Sequence, residues 1–476
     1  MFTDAKIVDG DLSKRRKMKS NKQIVTIVIS AALLTGGAAF GQSGEAILDL
    51  LTKKGVITTN EANAAREQFD KQTAETINQY NKIKLSSWVN SLQFYGDGRL
   101  RYDWRSGSGN AAGIGTYDNA DFDRFRYRLR VGVVGEYQDN FSYGLRLETG
   151  TKGDSANSTM GGGANANTSI PGVSSGGPWG KAGSSTIGVG QFWAQYKPAD
   201  WLTLIGGKIE NPFISTKMVW SENINPEGFA EKLKFKTAKV DWFLTLGEFT
   251  YSNLSNQNNF ASLAGVPDAW MLGAQGGGKV KFTKDVSLTL APTFYTYSNP
   301  LGASGGAHFS PTLVAGNIYA VNNLNVFDLP AELAFPIGKY PGKIFGDFAI
   351  NLTANTRAAD AGWSADGNQG IAYQVGAAIG DNKKKHDWLL KAYWQHSELF
   401  ALDPNLVDTD VFDTRLNMQG EVVSSQYLFT DYLSLVLTYN HGDAINSALP
   451  TLTGAGDLRG NLRNYNLMQL DLNWKF

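Results

Sequence analysis

Seven arginines carry the most specific chemistry in the sequence. Arg124, Arg126, Arg128 and Arg130 take every second position of one segment, Arg99 and Arg101 do the same in the segment before it, and Arg146, close to Glu148, lies in the segment after. Successive side chains of a strand point to opposite faces, so this spacing gathers the guanidiniums of each strand on one face. Clustered guanidiniums favour anions and repel cations. The same residues read equally well as one half of wall-stiffening ion pairs with Asp97, Asp103, Asp123, Glu148 and loop carboxylates. A second charged group, Glu210, Lys217, Glu222 and Glu227, falls in a polar segment at 210–228. No catalytic or metal-binding set accompanies them. The histidines, His308, His386, His396 and His441, have neither metal-ligand nor nucleophile spacing. The glycine-rich run 273–278 lacks the Lys-Ser/Thr of a phosphate loop and is expected to serve close backbone approach. Neither an enzyme nor a cofactor or metal site is expected.

The elements that must hold these arginines are amphipathic strands. Opposite Arg124 to Arg130 lie Phe125, Tyr127, Leu129, Val131, Val133 and Tyr137, and after a Gln-Asp-Asn turn Phe141, Tyr143, Leu145 and Leu147 continue that apolar face. A soluble sandwich would have to cover so long an apolar face with a second sheet. A barrel in a membrane, lipid outside and water inside, satisfies both faces at once.

A helical membrane protein is excluded. The one uninterrupted apolar segment, Ile24 to Leu34, is too short for a spanning helix, which needs ~20 apolar residues. It follows Lys14, Arg15, Arg16, Lys17, Lys19 and Lys22 and precedes small residues at Ala39 and Gly41. That order marks residues 1–41 as a signal peptide cleaved after Gly41, with Met18 as an alternative start and export to the outer membrane of a diderm cell as the expected address. No cysteine is present, so neither disulfides, thiolate metal sites nor lipoprotein acylation arise. Lys and Arg balance Asp and Glu at 44 each, and without residues 1–41 the balance is 37 to 41, about −4, which makes nucleic acid an improbable partner.

Residues 42–86 have a helical pattern unlike everything after them. Ile47, Leu48, Leu50 and Leu51 form one side of a short helix that Gly55 would end, and Thr58 with Glu61 has capping-box spacing for a second. Ala62, Ala65, Phe69, Thr73, Ile77 and Tyr80 give that helix a narrow seam, suited to a self-packed hairpin, a plug at one barrel mouth, or a periplasmic coiled coil joining subunits.

From 87 to 476 the chain reads as an all-β, antiparallel transmembrane barrel. Tight turns beside aromatic residues recur after Tyr196, Phe282 and Phe429, in shorter form after Phe235 and Gly380, and long polar segments alternate with them. These are the two ends of an outer-membrane barrel, and the aromatics form its interfacial girdle. The spans between are 91–105, 122–138, 141–150, 188–197, 201–209, 229–236, 239–250, 269–282, 285–298, 324–336, 343–354, 370–380, 387–398, 415–429, 432–442 and 461–476, or sixteen strands. Pro330 weakens the tenth unless it sits at a bulge.

The segments Leu50-Leu-Thr-Lys-Lys-Gly-Val-Ile-Thr with Glu61-Ala62, Gly98-Arg-Leu-Arg-Tyr, the arginine hairpin, Ala199-Asp-Trp-Leu-Thr-Leu, Gly207-Lys-Ile-Glu-Asn-Pro-Phe and Asn225-Pro-Glu-Gly together resemble the putative porin family of Gram-negative outer membranes. More distantly, the chain is similar to phosphate-selective porins, which carry a comparable Gly-Lys-x-x-x-Pro-Phe segment. The resemblance implies a passive diffusion channel for small hydrophilic solutes, commonly a homotrimer in outer-membrane lipid. The last strand, ending on Phe476, resembles the signal read by the barrel-assembly machinery. On this reading the seven arginines and Glu148 line the pore, and loop 210–228 folds inward to set its carboxylates across from them. An anion- or phosphate-selective channel and a non-transporting structural or adhesive barrel are the alternatives.

Overall fold

The structure, a computed structural model, describes residues 48, 51–67, 86, 88–109, 119–150, 155–160, 187–252, 269–298, 323–363, 369–451, 456–458 and 460–476. Two compact units divide the chain, Met1–Ser86 and Ser87–Phe476. In the first, Gly55 takes the left-handed φ of 69° that glycine adopts without strain, and its N–H donates to the Thr52 carbonyl at 3.0 Å, ending the short helix. The next helix starts on a capping box: the Glu61 N–H donates to Thr58 Oγ1 at 3.2 Å and the Thr58 N–H to Glu61 Oε2 at 2.9 Å. The signal-peptide segment and the seam positions Phe69, Thr73, Ile77 and Tyr80 lie outside the described residues.

The second unit is a closed antiparallel barrel. Its strands are β1 (Val89–Ser108), β2 (Asn119–Tyr137), β3 (Phe141–Thr149), β4 (Ile187–Ala199), β5 (Leu202–Lys208), β6 (Glu227–Lys236), β7 (Val240–Ser252) and β8 (Ala269–Lys281). They continue as β9 (Ser287–Leu290 and Thr293–Ser298), β10 (Asn325–Ile337), β11 (Tyr340–Asn351) and β12 (Ile371–Gly380). The last four are β13 (Trp388–Ser397), β14 (Met418–Leu428), β15 (Leu433–Ala444) and β16 (Asn464–Lys475). With β9 taken once and a two-residue pairing at Ser158–Thr159 set aside, the barrel has sixteen strands, as the sequence pattern requires. β16 pairs with β1 from Lys475↔Asp97 to Asn464↔Ser108, and the closure extends to Phe476, whose N–H donates to the Gly96 carbonyl at 3.0 Å. Closure leaves no unpaired edge.

Burial is inverted relative to a water-soluble protein. Phe94, Phe125, Phe192, Phe229, Trp242, Val375, Leu437 and Leu470 are exposed, whereas Asp103, Arg105, Gln275, Asp347, Asn351 and Gln395 are buried. Outward apolar and inward polar residues alternate along the strands, the pattern a lipid-facing barrel needs. Aromatics crowd the short-turn end: Phe141, Tyr196, Trp201, Phe235, Phe282, Phe429 and Tyr432 are exposed there, with Trp201 stacked on Phe235 at 6.0 Å.

Pro330 lies within the tenth strand. The ladder between β9 and β10 breaks at Ala291–Pro292, opposite Leu329–Pro330, so both prolines share one gap where their missing N–H groups cost little. The Ala291 N–H donates to the Pro330 carbonyl at 3.1 Å, which holds the strands together across it.

Among the connections that fold inside, two meet each other. Residues 209–226, between β5 and β6, bury Phe213, Met218, Val219 and Trp220. The Ile214 N–H donates to Gln275 Oε1 on β8 at 2.9 Å, and Thr216 Oγ1 donates to Asp347 Oδ2 on β11 at 2.5 Å. The glycine run permits this: a Cβ on Gly273 would stand 2.5 Å from the Phe213 ring. Residues 398–417, between β13 and β14, bury Leu399, Phe400, Leu402, Phe412 and Leu416. The connections join where the Ser221 N–H donates to the Leu406 carbonyl at 2.6 Å and the Asp408 N–H to the Lys217 carbonyl at 3.1 Å.

Candidate functional site: a charged barrel interior

The arginines of β1 and β2 share the inward face, and register brings them side by side: Arg99 is opposite Arg128 and Arg101 opposite Arg126. Such pairs would repel across ~5 Å, and carboxylates intervene nearly everywhere. Asp97 accepts from Arg128 and Arg130, both at 2.7 Å. Arg101 is bidentate on Asp471, at 2.6 and 2.8 Å, and reaches Asp410 at 2.9 Å. Arg124 bridges Asp103 at 2.8 Å and Asp457 at 2.6 Å. Arg146 pairs with Glu148 at 3.1 Å, and Arg99 lies 3.6 Å from Asp471. Arg126 is the least compensated: its guanidinium donates to Ser155 Oγ at 3.2 Å and stands 3.8 Å from Asp103.

At the centre of this network is Arg105, a fully buried residue. It contacts Asp413 at 2.8 Å, Asp103 at 3.2 Å, Asp410 at 3.3 Å and Asp457 at 3.5 Å. Burial opposes the charge on Asp410, but the Arg101 and Arg105 guanidiniums overcome it and hold that carboxyl well below the usual carboxylate range. Asp413 goes the other way, raised by burial despite Arg105 and Arg415.

The 209–226 connection also borders a second wall. Lys217 sits 3.5 Å from Glu222 and 3.8 Å from Asp408. The Asp408 carboxylate holds the Lys217 ammonium well above the usual lysine range, and Lys217 in turn lowers the Glu222 carboxyl. Across from them β10, β11 and β13 supply Glu332, Lys343, Phe345, Lys391 and Tyr393, and together these residues line a cavity of about 310 Å³. Lys343 contacts Glu332 at 2.8 Å.

Residues 115–310 match the putative porin family. The match runs from β2 through β9. Together with the closed barrel, it supports a porin-type barrel channel rather than an enzyme, and it implies an outer-membrane location in Gram-negative bacteria. A search of curated proteins finds no match. Among solved structures, a double mutant of the Rh. blastica porin is similar with a TM-score of 0.37 and 11% identity, covering 81% of this chain and 100% of its own. A triple mutant of the Rhodopseudomonas blastica porin gives a TM-score of 0.38 at 11% identity with the same coverage.

The structure therefore brings the seven arginines and Glu148 together on one inward face. Of the acidic set, Glu222 is in the 209–226 connection beside Lys217, and Glu210 is exposed. Glu227 is the first residue of β6, where it pairs with Lys208 at 2.8 Å. The arginines' external partners are Asp410 and Asp457, from other connections. Sequence reasoning missed Arg105, although it continues the period of Arg99, Arg101 and Asp103. It also missed Lys343 and Lys391, whose strands carry single inward cations without a repeated motif.

Proposed function

We propose that the chain is an outer-membrane porin that passes small hydrophilic solutes by passive diffusion through an arginine-lined lumen. The supporting observation is the 209–226 connection: it leaves the wall between β5 and β6, bonds to Gln275 and Asp347 on other strands, and borders a charged cavity rather than sealing it. Glu222 then faces cationic groups across a narrow passage, which would orient polar solutes in a transverse field. The chain is exported by a cleaved signal peptide, carries a periplasmic helical segment at 42–86, assembles as a homotrimer and engages the barrel-assembly machinery through the strand ending in Phe476. Proteoliposomes should swell in a small sugar. Glu222→Gln and Arg126→Gln should each change single-channel conductance or ion preference, and unchanged values for both would remove the transverse field.

One observation favours a second reading. Around Arg105 the 398–417 connection packs Phe412 into the interior with Leu458 and Leu462, which suits a plugged structural barrel. Vesicles that stay impermeable to sugar and to chloride would establish that reading in place of the porin.

A further inference from the structure

Register places two lysines in one row of the barrel wall. Lys343 on β11 is opposite Ala378 on β12, and Ala378 is opposite Lys391 on β13, so only a methyl group separates the two cationic side chains. The row beside it is aromatic: Phe345, Gly376 and Tyr393 are in register, and the missing side chain at Gly376 lets the two rings meet edge to face at 6.0 Å. The Lys391 ammonium lies 4.7 Å from the Phe345 ring centroid and 4.9 Å from that of Tyr393. These rings position the ammonium without neutralising it.

Among the described residues, Lys391 has no carboxylate within ion-pair distance. That separates it from its neighbours, because Lys343 has Glu332 and Lys217 has Glu222 and Asp408. All three lysines and the two glutamates line the same cavity of about 310 Å³, and Lys391 is the lysine among them with no carboxylate at ion-pair distance among the described residues. An ammonium has three donors and no acceptor, and here they face an opening large enough for a small solute.

We infer that Lys391, with Lys343 beside it and the Phe345–Tyr393 ring pair beneath, forms a binding subsite for a small oxyanion, carboxylate or phosphate, in the narrow part of the channel. This rests on the porin reading and relocates its ion preference from the paired arginines to one unpaired lysine. An oxyanion enters with one oxygen on Lys391, and a dianion draws a second hydrogen bond from Lys343 in competition with Glu332. Because the subsite is open and single-sided, occupancy is brief, as transport requires.

The test uses the full barrel in planar bilayers under a potassium chloride gradient, with acetate or inorganic phosphate then added. The wild-type channel should prefer chloride over potassium, and both probes should reduce the chloride current, phosphate at lower concentration if the dianion uses both lysines. Lys391→Gln should move the reversal potential toward potassium and weaken the block about tenfold, while Lys391→Arg should retain both. Ala378→Glu, which inserts a carboxylate between the lysines, should reproduce the glutamine variant with both cations still present. Lys284→Gln, in an exposed turn, should behave as wild type. A wild-type chloride current that neither probe reduces overturns the subsite without any variant, as does an open Lys391→Gln channel with unchanged selectivity and block. Failure of sugar-driven vesicle swelling overturns the porin reading itself, and is distinguished from the other failures by the absence of any conductance.

Discussion

The two charged walls of the barrel use their cations differently. On β1–β3 the arginines are densely packed but matched to Asp97, Asp103, Asp471, Glu148 and the connection carboxylates Asp410 and Asp457, so much of their charge is spent locally. On β11–β13 there are only two lysines, yet one of them has no carboxylate partner among the described residues and borders a cavity. Cation density is therefore a poor guide to the field felt by a solute. What counts is the charge left after local pairing, and on the sparser wall it is concentrated on a single lysine beside a cavity.

The contrast can be broken most forcefully at Arg105. Arg105→Met leaves Asp413 buried without its nearest counter-charge and takes one of two from Asp103, and removing one partner of a buried pair costs ~3–5 kcal/mol. Denaturant unfolding in detergent should show that loss, and a midpoint near wild type would reduce the arginine network to the rank of surface pairs. Asp410→Asn should cost ~1.5–3 kcal/mol at neutral pH, the range for hydrogen bonds to charged groups. Because the Asp410 carboxyl is held below its ordinary value, its contribution is fully present above about pH 4 and is lost as pH falls through the depressed value, so variant and wild type should converge only in strong acid. A gap that instead widens on acidification would reverse the assigned direction.

Thr216→Val tests the inward connection, since it removes the donor to buried Asp347. The expected cost is ~1–3 kcal/mol, with more frequent current fluctuations in single-channel traces; steady traces would place the anchor elsewhere. The smallest effect belongs to Glu222→Gln. Its side chain is 64% exposed, so the stability change should stay below ~1 kcal/mol. A larger loss would mean that the second wall is also stabilised by its ion pairs, erasing the contrast.

Much of the barrel was legible because period-two alternation is a property of single strands. Phe125 to Tyr137 against Arg124 to Arg130 assigned both faces of β2 correctly, and the aromatic-turn motifs located the strand ends. The site was less legible because it depends on pairing between distant segments. Nothing near Arg101 in sequence announces Asp410 as its partner, and nothing around Lys391 announces the lack of one. Arg105 was within reach, since alternation alone puts it on the face of Arg101. The position of Glu227 was misjudged because Gly228, at a φ of 154° in close contact with the β7 backbone, looked like loop composition while serving inside a strand.

The gap shared by Pro292 and Pro330 gives the wall a mechanical asymmetry. Where a ladder is continuous, as from β14 to β16, changing the barrel's girth means stretching an unbroken run of hydrogen bonds. Between β9 and β10 the run is already interrupted, and Pro330 borders the same cavity as Lys391. A bulky solute pressing outward there would meet a more compliant stretch than those continuous ladders, one spanned by the single Ala291–Pro330 hydrogen bond.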